Sequence, residues 1–251
     1  MDKQEWKEYV HKVEVGGPIP ASMIDNYDDW RCRSIVGRVL YVLGDIEGAM
    51  TVLSTVVKIQ PNEEDVPEVG LSEVEHKVLC LRDVAEIVWQ LTHQDYAPLV
   101  YLGEAYHYCR NYKHPFRSAD RGAIWSRRLE IMRDSGANDK AVAEAQAMLE
   151  QEAGSTGENP YIFHADKFLA EDAAAGGDYD KAAQLLAEAY KYYPVTDTAK
   201  KDLADAAAEA NPKARYEKYH HCTTIQYRHF EDDGKEVVID HTHKGGDKIT
   251  L

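Results

Sequence analysis

The sequence predicts an all-α fold of stacked antiparallel helix hairpins, followed by a small C-terminal β-hairpin. Two observations lead to this prediction. In the segment GRVLYVLGDIEGAMTVLSTVVKIQP, small, apolar and proline residues follow one another at steps of 7, 5, 4, 3 and 5 residues, and a segment far along the chain repeats the same steps. The last part of the chain instead carries short β-branched and aromatic runs between glycine turns, which is typical of strands.

Each step in the repeated segments has a structural reason. A small first residue lets two helices approach closely, and the glycine that follows tolerates the left-handed backbone that ends a helix. The next three positions continue an apolar stripe with helical spacing, and the proline ends the second helix. The two copies are Gly37, Gly44, Ala49, Leu53, Val56 and Pro61, and Ala170, Gly177, Ala182, Leu186, Ala189 and Pro194.

This pattern resembles the tetratricopeptide repeat. The resemblance is close in residues 30–61 and 163–194, and a third copy starts at Leu129 with Ala153 in place of the proline. A fourth copy, between residues 79 and 112, has His93 where the glycine belongs. The family's aromatic residue is replaced by Arg33 and Asp166 in the two close copies. The resemblance implies a TPR-like right-handed superhelix, that is, a solenoid of helix pairs.

Three regions follow from these patterns. We expect an N-terminal helix and linker in residues 1–20, a helical repeat domain in residues 21–212 and a β-hairpin tail in residues 213–251. Ser72 and Glu75 form a capping-box pattern at the start of a long helix. Within the first two regions, helices are predicted over 2–14, 28–43, 46–59, 72–91, 95–112, 118–135, 138–152, 160–175, 179–193 and 196–211, the last as a polar-faced closing helix.

Composition and charge restrict the partners. The formal net charge is −15, which opposes binding to nucleic acid or to an anionic membrane. The first residues lack the apolar core of a secretory signal, and no apolar run is long enough to span a membrane. The four cysteines are far apart with no CxxC pair, as in a reducing compartment. We therefore expect a cytoplasmic protein that needs no cofactor.

No catalytic signature is present in the sequence. It contains no GxGxxG, GxxxxGK(S/T), GxSxG or HExxH motif, so we do not expect an enzyme. One alternative involves the tail, where His241 and His243 would share a strand face and bind zinc or nickel, with His229 or Cys222 as third ligand. Cys222 beside a histidine is also a candidate nucleophile. The other interpretation is that these side chains are simply solvated.

The resemblance also implies a binding surface, because in that family the first helix of each pair lines the inner face on which peptides lie. The corresponding positions here are Arg31, Ser34, Arg38, Tyr41, Ser126, Arg127, Glu130, Arg133, Lys167 and Glu171. If the basic residues converge, they would hold an acidic or C-terminal group of a ligand. In the alternative interpretation they pair with Glu130 and Glu171 on a solvated wall.

The sequence thus predicts a non-catalytic scaffold or adaptor that binds a protein or peptide. Two other functions stay open. One is a metal-binding or enzymatic protein that uses the histidine-rich tail, and the other is a structural protein that self-associates through residues 213–251.

Overall fold

The structure is a computed structural model, and it describes residues 28–67, 71–114, 116, 120–193, 197–224, 227–230 and 236–239. These residues form ten α-helices, so the all-α prediction is confirmed for the described part of the chain. The helices are α1 (Trp30–Val42), α2 (Ile46–Val56), α3 (Glu73–Thr92), α4 (Tyr96–Asn111), α5 (Arg121–Asp134), α6 (Asn138–Gln151), α7 (Pro160–Ala175), α8 (Tyr179–Ala189), α9 (Asp197–Ala207) and α10 (Pro212–Thr224). The helix predicted over residues 2–14 lies outside the described residues.

The tail differs from the prediction at its start. Residues 212–224 were divided between the end of the repeat domain and a β tail, but they form α10. Asn211 accepts a hydrogen bond from the backbone N–H of Ala214, and Pro212 occupies the first turn, a common way to start a helix. Tyr219 and Cys222, three residues apart, are buried on one side of this helix. Cys222, which the metal-site hypothesis offers as a third ligand, is thus a buried residue of a helix.

Beyond α10, two short strands are described. β1 (Tyr227–Phe230) and β2 (Glu236–Ile239) pair antiparallel, with Tyr227 opposite Ile239 and Phe230 opposite Glu236. The segment that joins them and all residues after Ile239 lie outside the described residues. The complete tail hairpin, its additional strand and the site at His241 and His243 therefore stay predictions.

Two compact units make up the chain, and the division falls between Asn138 and Asp139. In the first unit α1 packs on α2, α3 packs on both of them and on α4, and α4 packs on α5. In the second unit α7 packs on α8, while α10 packs on both α8 and α9. The helix predicted to close the stack is present as α9. α10, which packs on α8, also covers this end of the second unit.

The turns that follow α1, α5 and α7 have the same backbone geometry. The glycine of each has a positive φ, 83° at Gly44, 90° at Gly136 and 84° at Gly177. In each turn the glycine N–H donates to the carbonyl three residues back, and the next N–H donates to the carbonyl five residues back. This double closure satisfies the last carbonyls of a helix and needs a left-handed residue. The spacing therefore located these three helix ends correctly.

The turn after α3 also contains a left-handed residue, but its hydrogen bond differs, since the His93 N–H donates to the carbonyl of Trp89 four residues back. His93 has φ 50° and ψ 25°, and it is the only non-glycine residue with positive φ in the described part of the chain. It occupies the position that the sequence pattern reserves for glycine. Its ring and the Trp89 ring are arranged edge to face, with a centroid distance of 5.8 Å. A histidine therefore has a left-handed backbone conformation here, which glycine adopts more readily.

Close helix contact occurs where the pattern requires a small residue. A Cβ placed on Gly37 would lie 2.6 Å from Cδ2 of Leu53, which is fully buried between α1 and α2. Val36, Leu40 and Val56 complete this part of the core. The first position of the pattern is therefore small because the facing leucine leaves no room for a methyl group. In the second unit Ala170 and Leu186 belong to one buried cluster in the same way.

Candidate binding surface

The first helices of consecutive pairs in the first unit, α1, α3 and α5, are joined by polar side chains. We call this surface the polar wall, and it consists of Arg38, Tyr41, Asp83, Glu86, Gln90, Arg127 and Glu130. On α3 the three members are spaced by three and four residues, which places them on one face of the helix. Each of them bonds to a residue of α1 or α5, so the polar wall consists of three separate hydrogen-bonded groups along one face of α3.

At one edge of the polar wall, two guanidinium groups share a carboxylate. Arg38 Nε donates to Oδ2 of Asp83 at 3.2 Å, and Arg82 Nε donates to Oδ1 at 2.8 Å. Asp83 is almost fully buried, whereas about a quarter of the Arg38 side chain is exposed. Among the described residues, the terminal nitrogens of Arg38 have no hydrogen-bonding partner. Arg38 therefore retains donors for an anion.

Towards the C-terminal end of α3, Tyr41 pairs with Gln90. The Gln90 amide donates to the Tyr41 hydroxyl at 3.1 Å. Burial, and next the nearby Glu86 carboxylate, raises the pKa of Tyr41, so the hydroxyl keeps its proton at neutral pH. The hydroxyl can then donate to a ligand while it accepts from Gln90.

At the other edge, Arg127 lies between two carboxylates. Its Nη2 donates to Oε2 of Glu86 at 3.0 Å, its Nε donates to Oε1 of the same carboxylate, and Nη1 donates to Glu130 at 2.7 Å. Burial disfavours the charged guanidinium, but the bonds with Glu86 outweigh it and raise the pKa of Arg127. One cation and two anions make this edge net negative. For Arg127, the structure therefore fits the alternative in which the arginine pairs with Glu130.

The other predicted site residues lie apart from the polar wall. Arg31 forms a two-pronged pair with Asp29, the residue that caps α1. Arg133 is near the C-terminus of α5, 3.9 Å from Asp134. Lys167 and Glu171 belong to α7 in the second unit, where Glu171 lies 3.7 Å from Nε2 of His220. The structure therefore brings together Arg38, Tyr41, Arg127 and Glu130 on one surface of the first unit.

Ser34 and Ser126 do not belong to an open surface, and their assignment to it was wrong. Ser34 is fully buried between α1 and α3 and Ser126 is 6% exposed. Cys80 Sγ donates to Ser34 Oγ at 3.1 Å, and this hydroxyl lies 3.1 Å from Nδ1 of His76. Burial, and next the Arg38 charge, lowers the pKa of His76 to about 4, so the ring is neutral and shares a hydrogen bond with the hydroxyl whose direction depends on the ring tautomer.

The Ser34, His76 and Cys80 cluster contains the residue types of a nucleophile and its base, but its surroundings do not suit catalysis. Ser34 and Cys80 have no exposed surface. Burial raises the pKa of the Cys80 thiol to about 12, whereas reactive cysteines have a lowered pKa and partial exposure. These three side chains therefore act as a satisfied polar contact between two helices.

Sequence reasoning missed the acceptors on α3, since the fourth copy was too irregular to assign positions. The left-handed His93 provides the alignment, because it lies 49 residues after Gly44. The same offset relates Asp83 to Ser34 and Gln90 to Tyr41. The signal that could have located these residues is His93, an exposed histidine at the end of a helical pattern.

Comparisons with known proteins give no relative. No family model, curated protein or solved structure matches the chain. In the described residues, no group of three or more histidine, cysteine, aspartate or glutamate side chains is arranged to hold a metal ion. Nor does any described helix combine the length and the apolar character needed to cross a bilayer. The basis for assigning a function is therefore the geometry of the polar wall.

Proposed function

We propose that the protein is a non-catalytic scaffold that binds a protein or peptide segment along the polar wall, and that its helix pairs continue as a TPR-like solenoid. The observation that carries this proposal is that the part-exposed side chains Arg38 and Tyr41 of α1 and Arg127 of α5 are each held by a bond to α3. Side chains that are already fixed lose little conformational entropy when a ligand arrives.

The charges of the polar wall indicate the chemistry of the ligand. Arg38 has unused donors, and the Glu130 edge is net negative. A segment that carries a carboxylate opposite Arg38 and a basic group opposite Glu130 would match both edges. Tyr41, three residues after Arg38 on α1, offers an aromatic surface with a hydroxyl donor, a residue type that is common in interfaces.

The resemblance of the three glycine turns to one another supports the solenoid part of the proposal. A chain that repeats one hairpin turn produces similar units, and each unit extends the surface without a separate core. The C-terminal hairpin, of which β1 and β2 are the described part, would form the end of this array. We place it outside the binding surface, since the polar wall belongs to the first unit.

A capture experiment tests the binding proposal. The full chain is immobilised, incubated with a lysate of its source cells, and compared with the double variant Arg38→Gln/Tyr41→Ala. We expect specific proteins on the unaltered chain to be reduced at least tenfold on the variant. The Arg38→Gln amide still reaches towards Asp83, so a thermal melt close to that of the unaltered chain would show that the fold is intact.

A matched control uses the exposed face of α2. Glu47 and Thr51 are exposed there, four residues apart and away from the polar wall. The Glu47→Ala/Thr51→Ala variant should capture the same proteins as the unaltered chain. Equal capture by all three baits would reject the polar wall as the binding surface, and so would the absence of any protein enriched over an empty matrix.

A further inference from the structure

The turn between α3 and α4 exposes an apolar surface that the polar wall does not use. Of the five large hydrophobic side chains that are most exposed in the described residues, three lie here, namely Leu91 at 65%, Tyr96 at 79% and Val100 at 52%. Tyr96 and Val100 are four residues apart and therefore share one face of α4. Leu91 lies in the last turn of α3, next to the same end of the hairpin. We call these three side chains and His93 the apolar tip.

The sequence around the apolar tip is almost free of charge. Residues 87–103 contain one charged side chain, Asp95, although 29% of the whole chain is charged. No longer stretch of the chain is limited to one charged residue. The Asp95 carboxylate accepts a hydrogen bond from the Ser135 hydroxyl at 3.2 Å, so it is engaged with the residue that follows α5.

The three glycine turns do not share this character. Asp45 and Glu47 follow Gly44, Asp139 follows Gly136, and Asp178 and Asp180 follow Gly177. The α3–α4 turn also has a side-chain contact at its left-handed residue, because the His93 ring packs against Trp89. A sparsely charged, aromatic tip on one hairpin is therefore a local feature and not a property of the repeat.

We propose that the apolar tip is the contact between two copies of this chain, related by a two-fold axis. Charge decides between a second copy and a different protein. In a two-fold contact the same patch of each copy meets, so a net charge on that patch would repel itself, and in a chain of net charge −15 a patch with little charge favours self-association. A surface of this acidic chain meant for a different partner would gain speed and selectivity from retained carboxylates.

The contact has a simple form. Two α4 helices cross near Val100, so that Tyr96 of each copy covers Val100 of the other. Leu91 packs at the edge of this contact. Removal of these side chains from water supplies the attraction, while the net charge of each copy opposes it. Added salt screens that repulsion without weakening the apolar contact, so the dimer should become tighter as the salt concentration rises.

The test is the mass of the full chain in solution, measured by light scattering or sedimentation at several protein and salt concentrations. We expect twice the chain mass of 28.4 kDa at micromolar concentrations, with tighter association at high salt. The variant Tyr96→Glu/Val100→Glu should raise the dimer dissociation constant by a factor of about 100 or more. Both side chains are exposed, so the variant should melt as the unaltered chain does.

The control variant Leu43→Glu/Val66→Glu adds the same charge at exposed apolar positions elsewhere in the first unit. It should stay dimeric. A monomeric unaltered chain would overturn the proposal and assign the apolar tip to another partner. A dimer that both variants leave unchanged would also overturn it, and would direct attention to the tail. So would a dimer that salt dissociates, since that response belongs to an interface held by ion pairs.

Discussion

Gly37 shows at the scale of one residue why the repeated pattern begins with a small side chain. Glycine inside a helix normally reduces stability, since it gives the unfolded chain more freedom. In α1 that loss is offset by the contact with Leu53, which lies where a Cβ would be. The same chain contains a glycine without such a contact, Gly103 in α4, whose nearest neighbour would be Nη1 of Arg128 at 3.9 Å.

These two glycines give a matched pair of predictions. Gly37→Ala should lower the free energy of unfolding by about 1–3 kcal/mol, because the methyl group displaces a buried leucine. Gly103→Ala should raise it by about 0.5–1 kcal/mol, the usual gain from alanine in a helix. Urea unfolding of the two variants and the unaltered chain measures both values. A gain at both positions would mean that α1 and α2 are not in close contact.

Asp166 is a residue whose properties the sequence did not indicate. It stands where the family has an aromatic side chain, and it is 3% exposed in α7. Burial, and next the Glu188 carboxylate on α8, raises the pKa of Asp166 to about 7 from an ordinary value of 3.8. The folded protein therefore keeps a proton that the unfolded chain has lost between these two pH values.

The raised pKa of Asp166 makes the free energy of unfolding depend on pH. Because folding binds this proton, the contribution of Asp166 to stability falls as the pH rises from about 4 to about 7 and is constant above that range. Asp166→Asn imitates the protonated group, so the variant should be more stable than the unaltered chain at pH 8, by about 2 kcal/mol, and equally stable near pH 4. Thermal or urea unfolding of both proteins across this range is the measurement. Parallel curves would contradict the account of Asp166.

At the scale of helices, the best predicted features are their ends. The capping box of Ser72 and Glu75 is present with both of its hydrogen bonds. Nearby residues determine such ends, because a capping side chain or a left-handed glycine forms hydrogen bonds with backbone atoms only a few residues away. α10 was missed because residues 213–222 were placed in the tail region without an element of their own, and their packing against α8 is what makes them part of the helical structure.

Lys77 connects three helices of the first unit and was also missed. It is 1% exposed, and its ammonium group donates to the carbonyls of Val57 and Ile59 just after α2, the latter at 3.1 Å, while Glu104 of α4 lies 3.0 Å away. A lysine in an apolar stretch of α3 offers no sign that it is buried. The carbonyls that it satisfies belong to a turn whose course only the fold determines.

We predict that the carbonyl contacts of Lys77 matter more than its ion pair. Lys77→Met keeps the aliphatic volume but leaves two half-buried carbonyls without their donor, and it should lower the free energy of unfolding by about 1–3 kcal/mol. Glu104→Gln removes only the charge of a part-exposed partner and should change it by less than about 1 kcal/mol. Urea unfolding distinguishes the two effects. If Glu104→Gln lowered the free energy of unfolding more than Lys77→Met, the ion pair would matter more than the carbonyl contacts.

At the scale of the whole molecule, the sequence predicted the helix pairs better than their contacts. The helical period and the turns depend on residues close together in the sequence, so the steps around Gly44 and Gly177 were sufficient to locate the helix pairs. The bonds of the polar wall join residues more than 40 positions apart, such as Arg127 and Glu86. Tyr41 and Arg38 were assigned to a surface only through a family resemblance, and their partners on α3 became visible only in the structure.

The central claim is that consecutive helix pairs of the first unit are held side by side through the polar wall, which leaves its outer edge free for a ligand. The most direct test is a double-mutant cycle in urea with Glu86→Gln, Arg127→Gln and the combined variant. We predict a coupling energy of about 1–3 kcal/mol, because both groups are largely buried and joined by two bonds. The exposed pair Lys213 and Glu217 provides the control cycle, with a coupling below about 0.5 kcal/mol. Equal coupling in the two cycles would contradict the claim.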